Sequence, residues 1–204
     1  MDGGQAMTGS LMTGPLDRRA AVKALLADRG DLLVVSGLGS SSYDVFDAGD
    51  HPANFYLWGA MGGAAMIGLG LALAQPQRPV AIITGDGEQL MGLGSLATIA
   101  AKKPTNLAIV VLDNAHFGET GMQMSHSGLG TKLELIAAGA GFPSVSTIET
   151  LAELENFRPK LYDLAGPHFA RVAISTDHVD RALPPRDGVF LKTRFRGHLG
   201  FPVS

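Results

Sequence analysis

Gly85-Asp86-Gly87 stands directly after an apolar run rich in β-branched residues and directly before a helical pattern. Glycines at such a turn let the backbone approach a phosphate closely, and the helix start beyond them offers unpaired N–H groups and the positive end of a dipole. Asp86 puts a carboxylate where a bare anion site would repel it, so the pattern calls for a cation between the two negative groups. One crossover later a second apolar run ends at Leu112-Asp113-Asn114 and emerges at the same sheet edge, the edge where parallel sheets bind ligands. Mg2+ takes six oxygens, commonly one or two protein carboxylates completed by phosphate oxygens and water, so Asp86, the Asn114 amide and a backbone carbonyl suit it. Alone, each half is an ordinary turn, because Gly, Asp and Asn collect at strand ends for conformational reasons. Together they describe a metal–diphosphate site.

A second cluster lies upstream in Trp58-Gly59-Ala60-Met61-Gly62, and a third in Ser36-Gly37-Leu38-Gly39-Ser40-Ser41 after another apolar run. Gly85-Asp86-Gly87 with Asn114 resembles the thiamine-diphosphate motif of the decarboxylase superfamily, and the Trp58–Gly62 segment is similar to that family's aminopyrimidine-binding turn. The resemblance implies Mg2+ held by the side chains of Asp86 and Asn114 and by the backbone carbonyl of His116. It implies a diphosphate near Gly87 and Glu88, with Gly37, Ser40, Ser41, Gly85, Phe117 and Gly118 as further cofactor neighbours. In the aminopyrimidine turn, it implies that the Gly59 carbonyl accepts from the 4′-amino group and the Met61 N–H donates to the ring, with Ala60 between them. The Met61 side chain would wedge between the cofactor's two rings; without the downstream motif, Met61 reads as a core methionine at a helix start. Many relatives carry a hydroxyl residue after the second glycine. Glu88 departs from that, which makes its backbone N–H the expected contact.

The implied cofactor supplies a carbanion that attacks a 2-oxo carbonyl and releases carbon dioxide. In this family a glutamate on a separate pyrimidine-binding domain activates the aminopyrimidine, and the 204 residues here are taken up by the diphosphate-binding module. The expectation is a separate pyrimidine-binding subunit and a hetero-oligomer. Over residues 31–175 the layout is most similar to the small subunit of sulfopyruvate decarboxylase and the corresponding half of phosphonopyruvate decarboxylase. Ser42-Tyr43-Asp44-Val45-Phe46 stands where those show a Ser-Arg-Glu-Leu stretch, so Tyr43 replaces a cation. A different 2-oxo acid, or an acyloin-type carboligation, stays open. Met61 and His116 are the residues placed nearest the chemistry. His116 and His126, in a Gly-rich loop past Asn114, are candidates for proton handling, and a surface histidine is the plain alternative for each. Arg194, Arg196 and His198 either fold over the cleft toward a substrate carboxylate or form a solvated basic terminus.

These residues need elements that deliver them to one edge. Continuous apolar runs at 31–37, 79–84 and 106–112 read as strands buried on both faces. Residues 88–102 suit a crossover helix, and a strand at 143–147, a helix from 150 to 164 and a strand at 168–175 continue the alternation. A helix over 17–29 ends at Gly30. The expected fold is α/β, a mostly parallel sheet with helices on both faces. The expected organisation is an N-terminal arm over 1–16, one cofactor-binding domain over 17–176 and a covering tail over 177–204.

Composition narrows the class. Hydrophobic residues make up 46% and charged residues 17%, which describes a packed interior. Sixteen basic and 19 acidic residues are scattered, so no nucleic-acid footprint is expected. The apolar stretch at 59–74 is glycine-rich and shorter than the ~20 residues a span requires, so no membrane association is expected. The chain has no cysteine, which excludes disulfides and fits a cytoplasmic setting; it also leaves a ferredoxin-linked oxidoreductase subunit without its usual cluster ligands. A nucleotide-binding oxidoreductase subunit is the rival drawn from Ser36–Ser40, weakened by the missing full Gly-x-Gly-x-x-Gly. A non-catalytic scaffold has no need of a magnesium-compatible pair.

Overall fold

The computed structural model describes residues 15–202. Among them are eight strands: β1 (Leu33–Ser36), β2 (Asn54–Tyr56), β3 (Val80–Gly85), β4 (Leu107–Asp113), β5 (His116–Phe117), β6 (Gln123–Met124), β7 (Ser144–Ile148) and β8 (His168–Ala173). Six of these form one parallel sheet in the order β2-β1-β3-β4-β8-β7, and β5 pairs antiparallel with β6 beyond its rim. The helices are α1 (Arg18–Leu26), α2 (Ser40–Asp47), α3 (Ala64–Ala74), α4 (Asp86–Met91), α5 (Gly94–Lys102), α6 (Leu133–Ala140), α7 (Leu151–Phe157) and α8 (Gly188–His198).

The continuous apolar runs are explained by two cores. Successive strand residues point to opposite faces. Val34, Ile83, Val110 and Val172 meet Leu25, Val45 and Leu154 of α1, α2 and α7 on one side. Val35, Ile82, Ile109 and Phe169 meet Leu69, Ile99, Ala137 and Phe195 of α3, α5, α6 and α8 on the other. The helices do lie on both faces, as the alternation of runs predicts.

Three details differ from the sequence reading. The crossover expected as one helix over 88–102 is two, α4 and α5, broken at Gly92. The break has a packing cause: a Cβ on Gly92 would stand 2.2 Å from the Gly62 carbonyl oxygen, so the 59–63 turn seats in the joint. The helix expected to 164 ends at Phe157 and tightens into a 3-10 turn over Arg158–Leu161, at Pro159. Further upstream, α1 stops at Leu26, ahead of the left-handed Asp28 and Gly30.

The tail over 177–204 contains α8, capped by the Asp187 carboxylate, which accepts from Val189 N–H at 2.8 Å and Phe190 N–H at 3.1 Å. Leu191 and Phe195 are buried, and the Phe195 ring packs 5.5 Å from that of Phe55 on the edge strand β2. Most of the expected arm over 1–16 lies outside the described residues; Leu16 is buried and bridges Ile174. Among the described residues no helix is long and apolar enough to cross a membrane.

Candidate functional site

The register pairs Gly85 with Leu112, so β3 and β4 leave the sheet side by side. Asp86 opens α4 and Asn114 follows β4, and both line one cavity of about 200 Å3. Gly85, Gly87 and Glu88 from the α4 turn, Ser40 and Ser41 from the start of α2, and His116, Phe117 and Gly118 from the β5 segment line the same space. So does Met61, whose side chain is 43% exposed and whose methyl reaches over Gly87.

Asp86 is 3% exposed. Its Oδ2 accepts from the Ser125 hydroxyl and, at 3.1 Å, from the Ser127 hydroxyl. Burial pushes its carboxyl above the ordinary range; Ser125 draws it down, the nearby Asp113 charge raises it further, and Ser127 and the Gly87 N–H draw it down again. Asp113 is itself buried and held by Arg171 Nε at 2.5 Å, Ser127 Oγ at 2.7 Å and the Ala115 N–H at 2.9 Å. The Asn114 Oδ1 accepts the His116 N–H at 3.0 Å, and its carbonyl lies 2.8 Å from His116 Nδ1. A carbonyl only accepts, so Nδ1 is the donor in this contact and Nε2 is left free of it.

Among the described residues no group of three His, Cys, Asp or Glu could cage a metal. The donors at the rim are therefore one desolvated carboxylate, one amide and backbone carbonyls, a poor cage for a bare ion and a suitable half-shell for Mg2+ completed by phosphate oxygens. Gly87 lies under Phe117, where a Cβ would come within 2.8 Å of the ring, so the ring closes on the α4 start only because that residue has no side chain. The residues present fit a magnesium diphosphate.

The family model described as "Thiamine pyrophosphate enzyme, C-terminal TPP binding domain" matches residues 38–172. The chain belongs to the thiamine pyrophosphate enzymes. It is 37% identical to sulfopyruvate decarboxylase subunit beta of Methanothermobacter thermautotrophicus over 180 residues, 88% of this chain and 94% of that one. It is 40% identical to phosphonopyruvate decarboxylase of Streptomyces viridochromogenes over 189 residues, 92% of this chain but 47% of that protein, so it spans about half its length. The solved benzoylformate decarboxylase of Polynucleobacter necessarius shares the fold at a TM-score of 0.69 and 20% identity; the likeness covers 86% of this chain and 36% of that one.

Within this thiamine pyrophosphate-binding domain, three expected residues lie off the cavity wall. Gly59 and Ala60 are exposed in the 59–63 turn, with Ala60 left-handed at φ 57°. Gly37 sits behind the wall against Glu88. Family membership sets aside the dinucleotide reading of the Ser36–Ser40 loop. Arg194, Arg196 and His198 do not line the cleft; Arg194 and His198 are half-buried and Arg196 is exposed. Arg194 bonds Asp50 at 2.7 Å and stacks over Tyr56 and Phe190, while Arg196 lies over Phe201. His198 lies 2.9 Å from Arg78, ahead of β3, at the opposite end of the strands from the site.

Three sets of site residues escaped the sequence reading. Ser125 and Ser127 flank His126, but the hydroxyls reach Asp86 while the imidazole packs on Phe117 at 6.0 Å. Arg18 lines the main cavity with its Nε fixed 2.7 Å from the buried Asp44, which Arg19 also holds at 2.9 Å. Glu119 closes the cavity against Ser40 Oγ at 3.0 Å and Arg181 at 3.1 Å. No spacing signals these contacts, because each joins residues far apart in the chain.

Proposed function

We propose that this chain is the diphosphate-binding subunit of a thiamine-diphosphate- and Mg2+-dependent 2-oxo acid decarboxylase, completed by a separate pyrimidine-binding subunit. The observation that carries the reading is the shared cavity of Asp86 and Asn114 at neighbouring strand ends, with Met61 across from them. In it, Asp86 and Asn114 side chains and the His116 carbonyl hold the metal, and Ser40, Ser41, Gly87 and the Glu88 N–H face the diphosphate. The Gly59 carbonyl and the Met61 N–H meet the aminopyrimidine, and the Met61 side chain supports the bend between the rings. When bound, thiamine diphosphate supplies a carbon nucleophile that attacks a 2-oxo carbonyl and allows carbon dioxide to leave. The chain binds, orients and shields it, and His116 Nε2 is placed to hold a proton beside it.

A partner is supported by what the cavity lacks. Its carboxylates are Asp86, Glu88 and Glu119, and each is already engaged by hydroxyls, N–H groups or an arginine. The activating glutamate therefore comes from another domain. The relatives support the same view, since several are named as subunit beta of sulfopyruvate decarboxylase. Tyr43, packed on Trp58 at 6.2 Å, stands where the family resemblance leads one to expect a cation and leaves the 2-oxo acid's distal group open.

The test is a panel of 2-oxo acids given to the chain co-expressed with the subunit encoded beside it, with Mg2+ and thiamine diphosphate, and assayed for aldehyde and acyloin. Decarboxylation by the pair and negligible turnover by the chain alone are expected. Robust turnover by the chain alone overturns the split site, and a bound nicotinamide or flavin overturns the cofactor.

A further inference from the structure

Glu88 is 4% exposed, and among the described residues no cation pairs with it. A buried carboxylate of that kind is costly unless several donors meet it. Here they come from three separate segments. Oε2 accepts the Leu38 N–H at 2.7 Å and the Thr84 hydroxyl at 3.0 Å, and Oε1 faces the Ala64 N–H at 3.4 Å. Leu38 belongs to the loop that leads into α2, and Thr84 is the penultimate residue of β3. Ala64 is the first residue of α3, directly after the 59–63 turn. That helix receives no side-chain cap from Gly63, so the Glu88 carboxylate is the negative charge at its start.

The close fit extends to Gly37. A Cβ there would stand 2.0 Å from Glu88 Oε2 and 2.6 Å from Thr84 Oγ1, so the glycine and the glutamate require each other. The segments joined by this one side chain hold both ends of the proposed cofactor: residues 37–41 and 85–88 at the diphosphate, residues 59–63 at the aminopyrimidine.

We propose that the Glu88 carboxylate is a positioning residue that couples the two ends, so that anchoring a diphosphate at the start of α4 fixes the 59–63 turn. The proposal rests on the cofactor reading above. Asp86 and Gly87 set the first turn of α4, Glu88 rides on that turn, and its carboxylate carries the setting to Leu38 and to the start of α3.

Amide hydrogen exchange on the full chain tests it, with Mg2+ and inorganic diphosphate as the probe, because that anion engages only the diphosphate end. Wild type is expected to slow exchange at 85–88 and, by about fivefold or more, at Leu38 and across 59–64. Glu88→Gln keeps the size but turns an NH2 donor toward N–H donors; it is expected to retain protection at 85–88 and lose it at 59–64. Equal protection of 59–64 in both proteins, or wild-type protection confined to 85–88, overturns the coupling. No protection at 85–88 in wild type removes the cofactor reading and the coupling with it.

A second set of variants separates positioning from space filling. Gly37→Ala drives a Cβ into the Glu88 carboxylate and the Thr84 hydroxyl, and Gly37→Ala with Glu88→Ala and Thr84→Ala gives that Cβ room. Positioning predicts that the triple variant regains most of the melting temperature lost by Gly37→Ala while its affinity for Mg2+ and thiamine diphosphate, read from the single tryptophan Trp58, stays about tenfold below wild type. Recovery of both together overturns it.

Discussion

As the proposed metal ligand, Asp86 has to be charged where burial makes charge expensive. Its folded carboxyl titrates above the usual range, so the stabilisation it contributes is complete below about pH 4 and is lost as pH rises through its folded value. At neutral pH without metal, ionised Asp86 is a net cost to the fold, and the cation removes that cost. Asp86→Asn is therefore expected to leave the metal-free chain at pH 7 no less stable than wild type. A gain of up to ~1 kcal/mol, roughly 2–4 °C in Tm for a domain of this size, is consistent with that. Magnesium-dependent cofactor binding should fall at least about 100-fold. Melting in a chelator and calorimetric titration of thiamine diphosphate with Mg2+ read the two effects separately. Ser125 and Ser127 aim that carboxylate, and the loss of residues that orient a metal ligand typically weakens binding 10–100-fold. Ser125→Ala and Ser127→Ala are each expected to weaken the same titration about tenfold with unchanged circular dichroism, while His126→Ala leaves it within about twofold. Asp86 and Asn114 were legible because strand, crossover and strand fix their convergence. The serines were not, since Ser125 and Ser127 reach back to Asp86 across a turn whose path no local pattern sets, and the histidine between them drew the chemistry to itself.

At the scale of elements, β1, β3 and β4 are readable because each is apolar on both faces, and the two cores need it so, whereas the three-residue edge strand β2 and the two-residue β5 and β6 carry no such run. The ends of β1, β3 and β4 moved by a residue or two. The crossover was misjudged as one helix because what breaks it is a contact with the distant 59–63 turn. The placement of α2 has a similar long-range origin. Asp44, 2% exposed, receives Arg18 and Arg19 from α1, and burial still holds its carboxyl above the ordinary range despite both arginines. Removing the shared partner leaves Arg18 without its carboxylate and Arg19 with Asp47 alone, the two arginines being 13–14% exposed. Breaking such a buried pair from one side costs about 3–5 kcal/mol, and the residual exposure of the arginines argues for the lower figure. Asp44→Ala is expected to lose ~3 kcal/mol in urea denaturation, and because α2 carries Ser40 and Ser41, cofactor affinity should fall with it. A loss below ~1 kcal/mol would show that α2 is seated by its apolar face alone.

The whole molecule presents its cofactor rim toward a surface that it does not cover. Met61 and Met122 stand at the cavities on either side of Asn114, and Met91 packs against the turn that carries Met61. All three are exposed, Met91 to 67%. Exposed apolar side chains gathered around a cleft mark a candidate partner surface, and methionine adapts to such surfaces readily. The sequence pointed to a partner through its family resemblance alone; the fold adds a candidate face for it, by gathering Met61, Met91 and Met122, which share no spacing. Met91 does not line the cavity, which makes it the cleanest probe. Met91→Lys is expected to leave the chain's own stability within ~0.5 kcal/mol, as a surface change does. Its affinity for the partner subunit should fall at least about tenfold, with 2-oxo acid decarboxylation regained as partner concentration is raised. Analytical ultracentrifugation of the pair reads the association directly, and wild-type affinity in the variant would place the interface elsewhere on the molecule.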